Sequence, residues 1–149
     1  MKTLEVRRHS YRKKGGGSQL SQEGVIFARR LGASMGPFAH VATSVLPRTR
    51  ETALAMGFAV DQELVTFEPN DEMYAELEVN QWWEQPQPFV ALAGLLAQKG
   101  PTWRYAHALL SLWRDVVMSV PNNSSALVIG HSGELEIVLV ACFPNADHA

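Results

Sequence analysis

The sequence predicts an α/β fold of layered type, built on a largely parallel sheet. Short β-like runs at Thr3–Val6, His40–Ser44, Glu63–Phe67 and Ala126–Ile129 alternate with segments of helical period. The chain has 149 residues, 46% of them hydrophobic, a size that buries about 68–70% of the unfolded surface. No internal repeat and no long linker interrupts it, so residues 1–149 are expected to form a single domain.

Each element has a local reason. Thr3–Val6 runs straight into Arg7-Arg8-His9-Ser10, and Tyr11–Ser18 follows as a mobile loop because it ends in Gly15-Gly16-Gly17. Ser21 and Glu23 open a helix whose apolar face is Val25, Phe27, Ala28 and Leu31; Gly32 or Gly36, with Pro37, ends it. Pro47 suits the first turn of a second helix carrying Thr52, Ala53, Leu54 and Met56 and stopping near Gly57. An acidic stretch from Glu68 to Glu84 follows the third strand. Pro86 and Pro88 introduce a helix through Gln98, and Thr102 caps a longer one with Trp103, Ala106, Leu110, Trp113 and Val117 at helical spacing. Pro121–Ser125 turns the chain into the buried strand, and Glu134–Cys142 closes as a helix.

The net charge of −2 conceals an asymmetry. Residues 1–50 hold ten Lys and Arg against Glu5 and Glu23, whereas residues 51–149 hold three against thirteen Asp and Glu. The two parts neutralise each other on folding, or the basic part builds an anion site. A pI near 6.2 and the lack of a basic stripe interleaved with aromatics argue against nucleic acid as the partner. The apolar runs are too short to span a bilayer, and charge at Lys2, Glu5, Arg7 and Arg8 stands where a signal peptide needs apolar residues. The single cysteine, Cys142, cannot form an internal disulfide. A cytoplasmic protein without membrane partners is expected; the oligomeric state stays open.

In a parallel sheet, ligands collect beyond the carboxyl ends of the strands. Those ends carry Arg8-His9-Ser10, Ser44–Arg48, the acidic stretch after Phe67, and Gly130-His131-Ser132. Two histidines with several arginines make a phosphate site the natural reading. Three rival readings have less support. Gly130-His131-Ser132-Gly133 approaches a nucleophile elbow, but only Asp147-His148 follow Ser132 as partners. Lys13-Lys14-Gly15-Gly16-Gly17-Ser18 has the residue types of a phosphate loop in the wrong order. A metal site would need His9, His131 and carboxylates without any His-x-x-x-His or Cys pair, beside arginines that repel a cation.

Several segments resemble the histidine phosphatase superfamily, in family order across residues 3–144. Arg8-His9-Ser10 resembles its Arg-His-Gly signature, and Leu20-Ser21-Gln22-Glu23-Gly24 its first helix entry. Thr43–Ala53 is similar to the stretch with its second arginine. Tyr74-Ala75-Glu76-Leu77-Glu78 resembles the segment with its acid, and Val128–Gly133 its second-histidine motif. The resemblance implies a phosphoglycerate mutase-like three-layer sandwich and a metal-independent phosphatase without cofactor, acting on a small phosphorylated substrate. It implies His9 as the nucleophile that becomes phosphohistidine, and Arg8, Arg48 and His131 as donors to the phosphoryl oxygens. Glu76 becomes the acid that protonates the leaving oxygen, with Glu72 the alternative. Ser10, Arg12, Lys13 and Ser132 are expected to touch substrate. A mutase and a non-catalytic phospholigand-binding domain are the alternatives.

Departures from the pattern bear on substrate. Ser10 replaces a glycine, the Tyr11–Gly17 loop lacks the Ser and Asn pattern of the mutases, and Asn80 and Trp83 stand where Gly and Glu are frequent. Relatives usually continue beyond the last helix, so the expectation is either a compact member or a chain from which a C-terminal segment is absent. Only one of Arg48 and Arg50 can face the site, since about 200° of helix separates them.

Overall fold

The computed structural model describes residues 1–65 and 71–148. Four parallel strands are β1 (Thr3–Arg8), β2 (His40–Ser44), β3 (Gln62–Leu64) and β4 (Ser125–Gly130), in the order β1-β4-β2-β3. Six α-helices are described: α1 (Gln22–Gly32), α2 (Pro47–Met56), α3 (Asp71–Asn80), α4 (Pro88–Ala97), α5 (Pro101–Ser119) and α6 (Glu134–Cys142). The α/β class and the parallel sheet stand as expected. The chain divides into two compact units, Met1–Thr66 with Leu112–Ser132 and Phe67–Ser111 with Gly133–Ala149. No linker marks the division because the chain crosses inside α5 and again directly after the His131 motif.

The first unit contains the sheet. Val41, Leu127 and Ile129 meet Ala28 of α1 with Ala53 and Met56 of α2 in one buried cluster. α1 starts where Ser21 accepts a hydrogen bond from Gly24 N–H at 3.0 Å. It lies so close to α2 that a Cβ on Gly32 would stand 2.0 Å from the Met56 carbonyl oxygen. In the loop after β1, Gly15, Gly16 and Gly17 all have positive φ, a conformation that side chains resist. The loop is pinned at its base by Lys13 N–H donating to the Gln19 carbonyl at 3.1 Å.

Several expectations need correction. β1 extends through Arg8, because pairing with β4 continues although its last side chains are exposed. The third strand is Gln62–Leu64 rather than Glu63–Phe67; Phe67 and Glu68 lie outside the described residues. The acidic stretch contains α3, since Glu, Met, Ala and Leu are good helix formers whatever their charge. On α1, Ala28 is buried as expected, but Phe27 is 43% exposed and the other buried positions are Gly24 and Gly32. On α5 the buried line is Thr102, Tyr105, Ala106, Leu109, Trp113 and Val116. Thr102 does not cap that helix with its hydroxyl: Pro101 occupies the first position, and the Glu76 carboxylate accepts from Thr102 N–H at 2.8 Å.

Two glycine substitutions test this packing. Gly32→Ala is expected to destabilise the protein by about 1–3 kcal/mol through overpacking against a backbone atom. Gly94→Ala on α4, whose new Cβ meets nothing within 4 Å, is expected to stabilise by about 0.5–1 kcal/mol. Thermal unfolding of both checks the pair; equal effects would contradict the α1–α2 contact.

Candidate active site

The register of β1 on β4 builds the site. Arg8 pairs with Gly130, and His9 N–H donates to the Gly130 carbonyl at 3.0 Å, so His9 and His131 leave adjacent strands together. Their ring centroids are 5.4 Å apart, edge to face at 61°. His9 Nδ1 lies 2.7 Å from the Ser10 carbonyl oxygen. A carbonyl only accepts, so Nδ1 carries the proton and Nε2 of the neutral ring keeps its lone pair.

The segment after His9 is held by hydroxyl groups. Ser10 N–H donates to Thr52 Oγ1 at 2.9 Å, and Thr52 in turn donates to the Arg48 carbonyl at 2.7 Å. Ser10 Oγ donates to the Gly24 carbonyl at 2.8 Å, so the serine that replaces a glycine is anchored to the start of α1.

A second chain of hydroxyls orients His131. Thr49 Oγ1 lies 2.8 Å from the Leu46 carbonyl and 3.0 Å from that of Ser44, which take its one proton. Ser44 Oγ, 2.9 Å from Thr49 Oγ1, must therefore donate to it and accept from His131 Nε2 at 2.8 Å. That leaves the lone pair of neutral His131 on Nδ1, which is buried with no hydrogen-bond partner among the described residues. A buried acceptor left in this state becomes a donor when the ring is protonated, which suits an incoming anion.

The electrostatics keep both rings neutral. Burial lowers the His9 pKa most; the Ser10 carbonyl opposes it, and the positive charges of Arg48, Arg8 and Arg12 add to the lowering. His131 is pushed down to about 4, first by burial, then by Arg48, His9, Arg12 and Arg8. Arg48 is half-buried and its guanidinium donates to Ser18 Oγ at 3.0 Å. Arg8, Arg12, Lys13 and Ser132 are exposed. Arg50 pairs instead with Glu63 on the surface.

The structure thus brings His9, His131, Ser10, Arg8, Arg12 and Arg48 into one locality. Glu76 belongs to the second unit. There its carboxylate accepts from Thr102 N–H, and a side chain on Gly100 would collide with it. Glu72 is exposed, with Arg104 at 3.4 Å. In the same unit Tyr105 donates to Glu134 at 2.7 Å, and burial followed by the Glu134 charge raises the phenol pKa. The sequence pattern places Ser44 at the strand end without a role and gives none to Thr49, Thr52 or Ser18. A cluster of small hydroxyl residues flanking Arg48 in Thr43–Thr52 is the signal that was there to find.

No family model and no curated protein sequence matches the chain. Solved structures do. The chain is similar to the mycobacterial glucosyl-3-phosphoglycerate phosphatase with a TM-score of 0.60 and 18% identity, over 97% of this chain and 81% of that one. It is also similar to TTHB049 from Thermus thermophilus, with a TM-score of 0.52 and 21% identity over 91% and 82% of the two chains. The fold is phosphoglycerate mutase-like. In this phosphoglycerate mutase-like chain, the carboxyl ends of β1, β2 and β4 are where His9, Ser44 and His131 meet.

The depressed histidines make stability depend on pH. Unfolded, His131 takes its proton near 6.5; folded, it does so only at about 4. The unfolded chain binds more protons between those values, so stability is full above pH 6.5 and is lost as the pH falls toward 4. His131→Gln is expected to flatten part of that loss in urea unfolding measured from about pH 7 to about pH 4.5. An unchanged slope would contradict a neutral His131.

Proposed function

We propose that the chain is a phosphatase that hydrolyses phosphate monoesters through a phosphohistidine on His9, without metal or cofactor. The observation that carries this reading is the neutral His9, with Nε2 unprotonated, surrounded by Arg8, Arg12 and Arg48. A phosphate dianion repels anionic nucleophiles, whereas a neutral imidazole approaches the phosphorus in line. The Nε2–P bond forms as the P–O bond of the ester breaks, and the leaving oxygen takes a proton. Water then attacks phosphorus, and inorganic phosphate leaves with His9 regenerated.

The arginines stabilise charge on the three transferring oxygens, the dominant need in phosphoryl transfer. His131 contributes through Nδ1, which has no partner among the described residues. Its low pKa rises when a dianion binds, so the proton it gains forms a charge-assisted hydrogen bond to phosphate. The fold likeness to a glucosyl-3-phosphoglycerate phosphatase is consistent with this chemistry. Glu76 is assigned as the proton donor to the leaving oxygen, with Glu72 second; Oε2 accepts from Thr102 N–H, and Oε1 is the oxygen that would carry the proton.

Turnover of p-nitrophenyl phosphate is expected to survive excess chelator. Arg48→Ala is expected to lower kcat/KM by about 10²–10³, the scale of losing one transition-state donor, and Arg50→Ala to change it little. Activity restored only by Mg²⁺ or Zn²⁺, or equal effects of the two arginines, would contradict the mechanism.

Glu76→Gln retains an acceptor for Thr102 N–H, so it separates proton donation from helix capping. It is expected to slow alkyl phosphates strongly and p-nitrophenyl phosphate less, since a good leaving group needs little protonation. The same pattern in Glu72→Gln alone would move the acid to Glu72.

A further inference from the structure

Thr49 is fully buried on α2 and hydrogen-bonds to neither imidazole, yet the proton count around it reaches His131. Its backbone N–H serves the Leu46 carbonyl at 3.1 Å, and the Thr43 hydroxyl serves the Ser44 carbonyl at 2.9 Å. The Thr49 hydroxyl still lies within 3.0 Å of both carbonyl oxygens. Turning its proton toward Ser44 instead would set an oxygen lone pair against two carbonyl oxygens in a buried site, which is unfavourable. Ser44 Oγ receives Leu46 N–H at 3.3 Å and has one proton of its own, which goes to Thr49. Toward His131 Nε2, at 2.8 Å, Ser44 is therefore an acceptor only.

An acceptor at Nε2 keeps an N–H there whether the ring is neutral or charged. Every proton that His131 gains or loses is then on Nδ1, which is buried without a hydrogen-bond partner among the described residues. A neutral ring locked in this way offers an anion a lone pair. The other tautomer would offer it an N–H with no proton uptake. The lock thus makes protonation a condition of any hydrogen bond from His131 to an anion.

We infer that Thr49 and Ser44 are positioning residues that make anion binding at His131 conditional on proton uptake. This role rests on the reading of the site as a place for a phosphoryl group. His9 is the second neutral ring there, and Arg8, Arg12 and Arg48 bring positive charge to both. Those charges oppose an extra proton in the empty site, and a dianion removes the opposition, so binding and protonation become one event. Thr52, one turn further along α2 and equally buried, serves Ser10 N–H and the Arg48 carbonyl and stands outside this chain.

Sulfate, a dianion without a proton near neutrality, is the probe, and long-range ¹H–¹⁵N spectra of the histidine rings read tautomer and charge. The measurement is made at about pH 6, where the free ring is neutral because its folded pKa is about 4. In the free wild-type chain His131 is expected as the Nε2–H tautomer, and at saturating sulfate both of its nitrogens carry protons. Thr49→Val leaves Ser44 without its acceptor, so the Ser44 proton turns to Nε2 and the ring becomes the Nδ1–H tautomer. Sulfate then binds that variant without protonating His131. The affinity of the wild-type chain is expected to fall more steeply with rising pH than that of Thr49→Val, by about tenfold per pH unit, the weight of one proton. Thr49→Ser is expected to restore the wild-type pattern. Thr52→Val is expected to keep the wild-type tautomer, although it removes an equally buried hydroxyl.

An Nδ1–H tautomer in the free wild-type chain, or a ring that stays neutral at saturating sulfate, would overturn the inference without any variant. So would a Thr49→Val chain that keeps the wild-type tautomer. A chain that binds no sulfate would overturn both the inference and the anion site. Turnover of p-nitrophenyl phosphate judges the phosphatase reading separately. Its absence, with proton uptake on sulfate binding intact, would defeat that reading and leave the role of Thr49 and Ser44 standing.

Discussion

The pairing of Arg8 with Gly130 is the contact on which the site depends. It sets two strands from opposite ends of the chain in a register that releases His9 and His131 at the same level. A slip by one residue would turn one ring to the opposite face of the sheet. The buried runs of β4 and β2 on the α1–α2 core hold that register, so the hydrophobic core of the first unit is also what fixes the distance between the two imidazoles.

Around that register, buried hydroxyl groups position the rings and the arginine. Thr52 joins the Ser10 backbone to the Arg48 carbonyl, and Thr49 with Ser44 joins the start of α2 to His131. Each of these groups has few protons, so the count of donors and acceptors dictates tautomers as well as positions. The same arrangement concentrates positive charge beside two uncharged rings. That is unfavourable for histidinium and favourable for a dianion, and burial strengthens both effects.

How much of this was legible in the sequence varies by cause. β2 and α6 have the bounds that the sequence predicts, because each is a buried run with sharp turn signals. β1 is longer than the sequence predicts, since the side chains of Arg7 and Arg8 are exposed and pairing, not burial, extends the strand. α3 was hidden by its acidity, and the face of α5 was displaced because Trp103 and Leu110 are large but only half-buried. In the site, His9, His131 and Arg48 are recoverable from motif order and strand topology. Ser44, Thr49 and Thr52 are signalled only by the run of small hydroxyl residues around Arg48; which partners each hydroxyl meets depends on tertiary packing that the run does not encode. The bond from Glu76 to Thr102 N–H depends on how α3 meets α5, which no local pattern encodes.

The central claim is that His9 is the nucleophile, and direct detection of its phosphorylated form tests that most closely. Turnover quenched rapidly without acid, followed by peptide mapping, is expected to place phosphate on His9 alone, through a bond labile in acid and comparatively stable in base. His9→Ala is expected to lose both label and turnover. Stoichiometric phosphate on Ser132, or full activity in His9→Ala, would contradict the account.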